Sequence, residues 1–219
     1  DLGAKPFVFP AMGSHGGGTV EGQLSVLEHY GITEATMGCP LRATMEVSEV
    51  GEALGLAVWL DRYAAEADWI GLVNRIKPHT DFKGTIESGL FKMMTIGLGK
   101  WKGAIQYHRA CVTHGYETVI TAVGREILSK VKIGFGVGLV ENGYDETAQI
   151  EAFNAQDVGA GERRLLKSAR GWMARLPFSP VDVLMVEQMG KNISGAGMDT
   201  NVIGRPTNPH EPSPHDPKV

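Results

Sequence analysis

The sequence has few cysteines, no excess of basic residues and no apolar run of membrane length. Its two cysteines, Cys39 and Cys111, cannot build a disulfide framework. Lysine and arginine total 21 against 25 acidic residues, and no basic cluster stands out. The sequence therefore lacks the basic patch that is typical of nucleic-acid-binding proteins. No run approaches the roughly 18–20 apolar residues of a membrane helix. Two free thiols fit a reducing compartment, and we expect a cytoplasmic protein that binds neither nucleic acid nor membrane.

The sequence does contain alternating strand-like and helix-like segments. Apolar patterns predict strands in residues 5–12, 44–60 (one strand or a hairpin), 68–76, 132–142, 147–157 and 181–190. Apolar residues at helical spacing predict helices in residues 20–31, 89–100, 117–131 and 160–176. This alternation indicates an α/β domain with a mainly parallel sheet and flanking helices, Rossmann-like in type.

We assign residues 1–205 to one α/β catalytic domain that lacks its first segment. Residues 206–219 are rich in proline and histidine and carry no core-forming pattern, which is typical of a tail or linker.

Unusual polar residues follow three of the predicted strands. GSHGGGT follows the first, KPHTDFKG follows the strand at 68–76, and MGKNISGAG follows the last. Ligands of open α/β sheets bind beyond the carboxyl ends of the strands, so these segments should converge on one edge of the sheet.

His15 lies in the first of these segments, before three consecutive glycines. Gly16 and Gly17 would let the backbone approach a ligand closely, so the loop could cradle an anion, position a base, or simply form a turn. It matches neither the Walker loop nor the G-x-G-x-x-G dinucleotide fingerprint.

Five further residues are candidates for chemistry. His79 follows a proline that restricts the backbone, and together with His15 it could supply an acid and a base. Lys92 has apolar neighbours, which favours either a lowered pKa or a side chain that reaches solvent. His108 is a weak metal signal, since no HxH, HExxH or CxxC is present. Gln188 and Lys191 could bind a carboxylate or form a solvated loop.

The order and spacing of these residues resemble the nickel-pincer lactate racemase family of 2-hydroxy-acid racemases and epimerases. The resemblance covers most of residues 6–205: the glycine loop with His15, KPHTDFKG with His79, then Lys92, His108 and a Q-x-x-K motif. It implies the N-terminal domain of a two-domain enzyme, with the site between the domains.

The resemblance also implies a role for each matching residue. His15 and His79 match the acid–base pair, Lys92 the lysine bonded to the nickel-pincer nucleotide, and His108 the protein ligand of nickel. Gln188 and Lys191 match the substrate-binding pair. Partners would be a small 2-hydroxy carboxylate and the proteins that make the cofactor.

Three departures from the family pattern leave alternatives open. The loop after His79 is long, so Lys83 competes with Lys92 for the covalent linkage, and Arg75 adds charge that suits an acid larger than lactate. The segment that would bind the cofactor phosphate is missing.

Two other functions compete with the racemase hypothesis. One is a family member that uses another cofactor or metal, and the other is a non-catalytic domain that binds an anion. A nicotinamide dehydrogenase does not fit, because its fingerprint is absent.

Overall fold

The computed structural model describes residues 3–190, 193–194 and 197–205. In this part of the chain the helices are α1 (Val20–His29), α2 (Glu34–Met37), α3 (Arg62–Glu66), α4 (Leu90–Lys92), α5 (Lys100–His114), α6 (Tyr116–Lys130), α7 (Val158–Trp172) and α8 (Thr200–Ile203). The strands are β1 (Val47–Ala53), β2 (Leu56–Asp61), β3 (Ile70–Arg75), β4 (Ile133–Glu141) and β5 (Thr147–Asn154). Short 3-10 turns cover Gly16–Gly18 and Ala155–Asp157, and a π-helical turn covers Met93–Gly97.

The strands form two small sheets. Strands β1 and β2 make an antiparallel hairpin. The other sheet has the order β3-β4-β5, in which β3 and β4 are parallel and β4 and β5 antiparallel. The α/β class with flanking helices is confirmed, but only one pair of strands is parallel, so the sheet is mixed.

Helices α6 and α7 supply much of the core, α6 against the β1–β2 hairpin and α7 against β4 and β5. Four residues of the predicted stripe on α6 are buried: Val119, Ile120, Val123 and Ile127. Leu165 of α7 is fully buried and packs against β4 where Gly138 leaves room, since a methyl group on that glycine would lie 2.6 Å from the Leu165 side chain. The helical spacing in the sequence therefore identified the faces that pack.

The strand expected at residues 5–12 does not form. In this segment only Val8 makes a bridge, in parallel fashion, to Leu41. Pro6 and Pro10 lack the N–H groups that a strand ladder needs, and the carbonyl of Pro10 accepts a hydrogen bond from the Lys100 ammonium instead. The apolar composition was correct for a packed segment, but the prolines prevent pairing.

The buried strand expected at residues 181–190 is also wrong. This segment has no regular structure, and Val183 and Met185 are 76% and 91% exposed. Within the described ranges no strand pairs with the outer edge of β3, so this apolar run finds no partner. An isolated run of strand-forming residues does not become a strand without one.

Helix α5 was not predicted from the sequence. The predicted helix ended at residue 100, but the chain continues from α4 through the π-helical turn and, after two residues, into α5. The glycines are needed for packing: a methyl group on Gly97 would lie 2.4 Å from the Ala11 carbonyl oxygen, and one on Gly103 would lie 2.9 Å from the Tyr107 ring. In the described part of the chain, no helix combines the length and apolarity required to span a bilayer.

Leu165→Ala should destabilise the domain by about 2–5 kcal/mol, because it leaves a cavity beneath the sheet. Ile150→Ala is the matched control, since Ile150 lies on β5 and is 63% exposed. Urea unfolding of both variants measures the difference. Equal losses of unfolding free energy would contradict the assignment of α7 to the core.

Candidate functional site

The glycine loop after residue 12 forms a tight left-handed turn. Gly16, Gly17 and Gly18 have φ of 64°, 68° and 66°, which side chains other than glycine rarely adopt. Thr19 caps α1, because its hydroxyl accepts the N–H of Gly22 at 3.1 Å. The loop presents the exposed His15 at the amino end of this helix.

The loop rests on the helical run that leads into α5. The N–H of Gly13 donates to the carbonyl of Gly97 at 3.2 Å. A methyl group on Gly18 would lie 2.3 Å from the Trp101 ring, so the ring packs directly on the loop backbone. The His15 loop is thus attached to the helices that carry Lys92 and His108.

His79 lies in a loop that follows β3 and is fixed by several hydrogen bonds. Its N–H donates to Glu87 at 2.6 Å, and Arg170 of α7 donates to the same carboxylate at 2.7 Å. Its carbonyl accepts from Lys83 at 2.8 Å and from Asn201 of α8 at 3.2 Å. Two helices from the C-terminal part of the chain, α7 through Glu87 and α8 directly, therefore hold the backbone of this histidine.

The His79 ring lies in an aromatic environment. Its centroid is 4.4 Å from that of Phe82 and 6.1 Å from that of Tyr116, and these two rings stack at 4.9 Å. The Asp81 N–H donates to Nδ1 at 3.0 Å. Because Nδ1 accepts this bond, the proton of the neutral ring is assigned to Nε2.

The pKa of His79 is lowered to about 3. Burial is the main cause, and the positive charges of Lys92, Lys83 and Lys77 add to it, with a smaller effect from His108. These charges act on the ring only because the structure brings the groups together. Lys92, Lys83, Lys77 and His108 therefore lie within electrostatic range of the His79 ring.

Lys92 is partly buried where α4 meets the π-helical turn. Desolvation lowers the pKa of its ammonium to about 8, and Lys77 adds to this effect while Asp81 and Cys111 oppose it. Of the two alternatives left open by the sequence, the structure supports the desolvated lysine. Such an amine is partly neutral near pH 8 and can act as a nucleophile.

Glu162 fixes the start of this helical run. It is fully buried on α7, and its carboxylate accepts the N–H of Phe91 at 2.9 Å. Burial raises the pKa of Glu162 to about 7, although hydrogen bonds from the Phe91 and Leu90 backbones oppose the shift. The carboxylate thereby ties α7 to the turn that carries Lys92.

His108 is exposed on α5, and its Nδ1 lies 2.7 Å from the carbonyl oxygen of Ala104. A carbonyl can only accept, so Nδ1 carries the proton and Nε2 keeps a free lone pair. A carbonyl partner on the other nitrogen is typical of metal-binding histidines. Among the described residues, no group of three or more His, Cys, Asp and Glu side chains could hold a metal without further ligands.

Comparison with solved structures finds a lactate racemase apoprotein from Thermoanaerobacterium thermosaccharolyticum, with a TM-score of 0.60 and 13% sequence identity. The chain shares the fold of part of this racemase. The match covers 81% of the chain but only 44% of the racemase, so the chain spans less than half of that protein. No family model matches the sequence, and no curated protein matches it. At this identity the likeness shows the fold alone.

The residues expected to bind substrate are not part of the described cluster. Gln188 is exposed and makes no hydrogen bond to described residues, and Lys191 lies outside them. Arg75 pairs with Glu141 of β4 at 2.9 Å rather than with the carboxylates near His79. Their roles remain predictions.

Several residues of the site carried no signal that the sequence analysis used. Phe82 and Tyr116 come from segments distant in the chain, so their stack around His79 depends on the fold. Glu87 binds Arg170 of α7. Its position eight residues after His79 gives no hint of the bond to the His79 N–H.

His79 should stay neutral well below the pH at which histidines normally titrate. Its folded pKa of about 3 lies below the ordinary histidine value of 6.5, so between these values the unfolded state binds a proton that the folded state does not. Stability from this group is present above pH 6.5 and falls as the pH drops towards 3. NMR titration should show no inflection for His79 down to about pH 4, with His79→Gln assigning its signals. An inflection near pH 6.5 would contradict the burial.

Proposed function

We propose that this chain is the N-terminal part of a racemase or epimerase of 2-hydroxy acids that uses a nickel-pincer nucleotide. The observation that carries the proposal is the cluster of His79, Lys92 and His108 beside an additional cationic side chain, Lys77, on a lactate racemase fold. These positions match the family's base, linkage lysine and nickel ligand in order and spacing. Hence the proposed role of each residue has both a sequence and a structural basis.

The residues present fit the cofactor. Lys92 is a desolvated amine of lowered pKa, suited to forming a covalent amide-type bond. His108 offers Nε2 to a metal, and the described residues supply no complete metal cage, so an organic group would have to complete the coordination. When bound, the cofactor would accept a hydride from the substrate carbon and return it.

The cations around His79 suit an anionic substrate. Burial is the main cause of the lowered pKa of His79, and the charges of Lys92, Lys83 and Lys77 lower it further. A bound carboxylate would offset these charges, and the pKa of His79 would rise towards the range in which an imidazole accepts a proton. Substrate binding would thus prepare His79 for proton transfer.

The hydrogen bond at Nδ1 of His79 also determines whether Nε2 donates or accepts in the neutral ring. With Nδ1 accepting from Asp81, the neutral ring can donate a hydrogen bond through Nε2 to a substrate oxygen. To take a proton at Nε2, the ring must first give up this bond and carry its proton on Nδ1. His15, on the glycine loop, is the candidate for proton transfer on the opposite side of the substrate.

Lys92→Ala should abolish the covalent mass increment that the chain gains when it is produced with the cofactor-making enzymes. Lys83→Ala should keep the increment, because Lys83 already donates to the His79 carbonyl and to Asn201. Intact-protein mass spectrometry measures both. The reverse pattern would show that Lys83 is the linkage residue, and no increment in the unsubstituted chain would refute a covalent link.

Activity on larger polar 2-hydroxy acids should exceed activity on lactate. A second anionic or polar group needs a partner, and Arg75 is the candidate contact in addition to Gln188 and Lys191. Arg75→Ala should lower activity only on the larger acids, whereas Lys191→Ala should lower activity on all of them. Loss of optical rotation over a panel of acids measures this. Equal losses in Arg75→Ala would leave Arg75 as the structural partner of Glu141.

The same cations support a second candidate, a domain that binds an anion without catalysis. Binding of a 2-hydroxy acid without hydrogen exchange at its Cα, in the chain loaded with cofactor, would favour this alternative.

A further inference from the structure

Lys100, the first residue of α5, is a fully buried lysine that the proposed reaction does not use. It has φ of 53°, a left-handed conformation that is uncommon for residues other than glycine. Its ammonium lies 3.0 Å from the carboxylate of Asp61, which is also fully buried. Strained, buried charges of this kind persist only where the surrounding structure holds them in place.

The three N–H donors of Lys100 all have acceptors within the protein. Besides Asp61, the ammonium donates to the carbonyl of Pro10 at 2.5 Å and to Oε1 of Gln23 at 3.1 Å. A protonated lysine has three donors, so none remains for a substrate or cofactor. Any effect of Lys100 on the site must therefore pass through its partners.

Gln23 connects this lysine to the glycine loop. Its side chain is fully buried, and because Oε1 accepts from Lys100, the amide nitrogen must face the other way. Nε2 donates to the carbonyl of Gly13 at 3.0 Å and to the carbonyl of His15 at 3.2 Å. The orientation of one amide, fixed by one ammonium, therefore determines two hydrogen bonds to the loop.

The loop needs such an anchor. Its three glycines have more backbone freedom than any other residue type, and the bonds within the turn, such as His15 N–H to Met12, fix only its local shape. To place His15 relative to α5, the loop must be bonded to other elements. One such bond runs from the Gly13 N–H to the Gly97 carbonyl, and the Gln23 side chain adds two more.

We propose that Lys100 is a positioning residue that, through Gln23, fixes the His15 loop relative to α5, the helix that carries His108. Asp61 neutralises the ammonium, and Pro10 ties the preceding segment to the same group. An effect of this placement on catalysis rests on the proposed function. The anchoring of the loop by Lys100 and Gln23 does not depend on that function.

Gln23→Glu is the sharpest test, since it keeps the shape of the side chain and an acceptor for Lys100. A carboxylate cannot donate, so both bonds to the loop carbonyls are lost. Amide hydrogen exchange in residues 13–19 should accelerate about tenfold, as expected for the loss of two hydrogen bonds. Exchange in α7 should not change.

Two further variants complete the experiment. Lys100→Met combined with Asp61→Asn removes both buried charges and should accelerate exchange in the loop to a similar extent, because the Gln23 amide is no longer oriented. Lys102→Met is the control, since Lys102 is exposed and contacts the Trp59 ring instead. It should leave the loop unchanged.

The outcomes distinguish positioning from a merely structural role. Unchanged exchange in residues 13–19 in Gln23→Glu, or equal acceleration in the loop and in α7, would overturn the proposal. If the cofactor-loaded chain is active, kcat should fall in Gln23→Glu while KM stays nearly constant. A chain without racemase activity would refute the proposed function, but the exchange measurement would still decide whether Lys100 anchors the loop.

Discussion

The buried ion pair of Lys100 and Asp61 is the interaction on which the arrangement of the site depends. It joins the end of β2, the start of α5, the segment at Pro10 and, through Gln23, the glycine loop. Breaking such a pair by removing one partner typically costs about 3–5 kcal/mol, because the other charge stays buried. Elements with no common sheet are thus held together by one ammonium group.

The second constraint is electrostatic. His79 lies among lysines, and the aromatic rings of Phe82 and Tyr116 keep water away from it. Without a ligand this site holds positive charge beside a neutral imidazole. An anion bound there would offset this charge and raise the pKa of His79. The same desolvation lowers the pKa of Lys92, so one environment prepares both residues.

Much of the fold could be predicted because its signals are local. The buried face of α6 follows from apolar residues at helical spacing, and the cap of α1 follows from Thr19. The errors have the opposite origin. The segments at 5–12 and 181–190 are apolar, but whether such a run becomes a strand depends on a partner strand and on free N–H groups. The prolines at 6 and 10 can be read from the sequence, but the presence of a partner strand cannot.

The sequence by itself determined the α/β class, most of the helices and strands, and which residues were candidates for chemistry, because side-chain type and short-range spacing suffice for these. Tertiary structure alone decided that the charge of Lys92 acts on His79, that Glu87 binds Arg170, and that Lys100 reaches Gln23 across 77 positions. The physical reason is that burial and charge act through space. A pKa or an ion pair depends on neighbours that the fold supplies from distant parts of the chain.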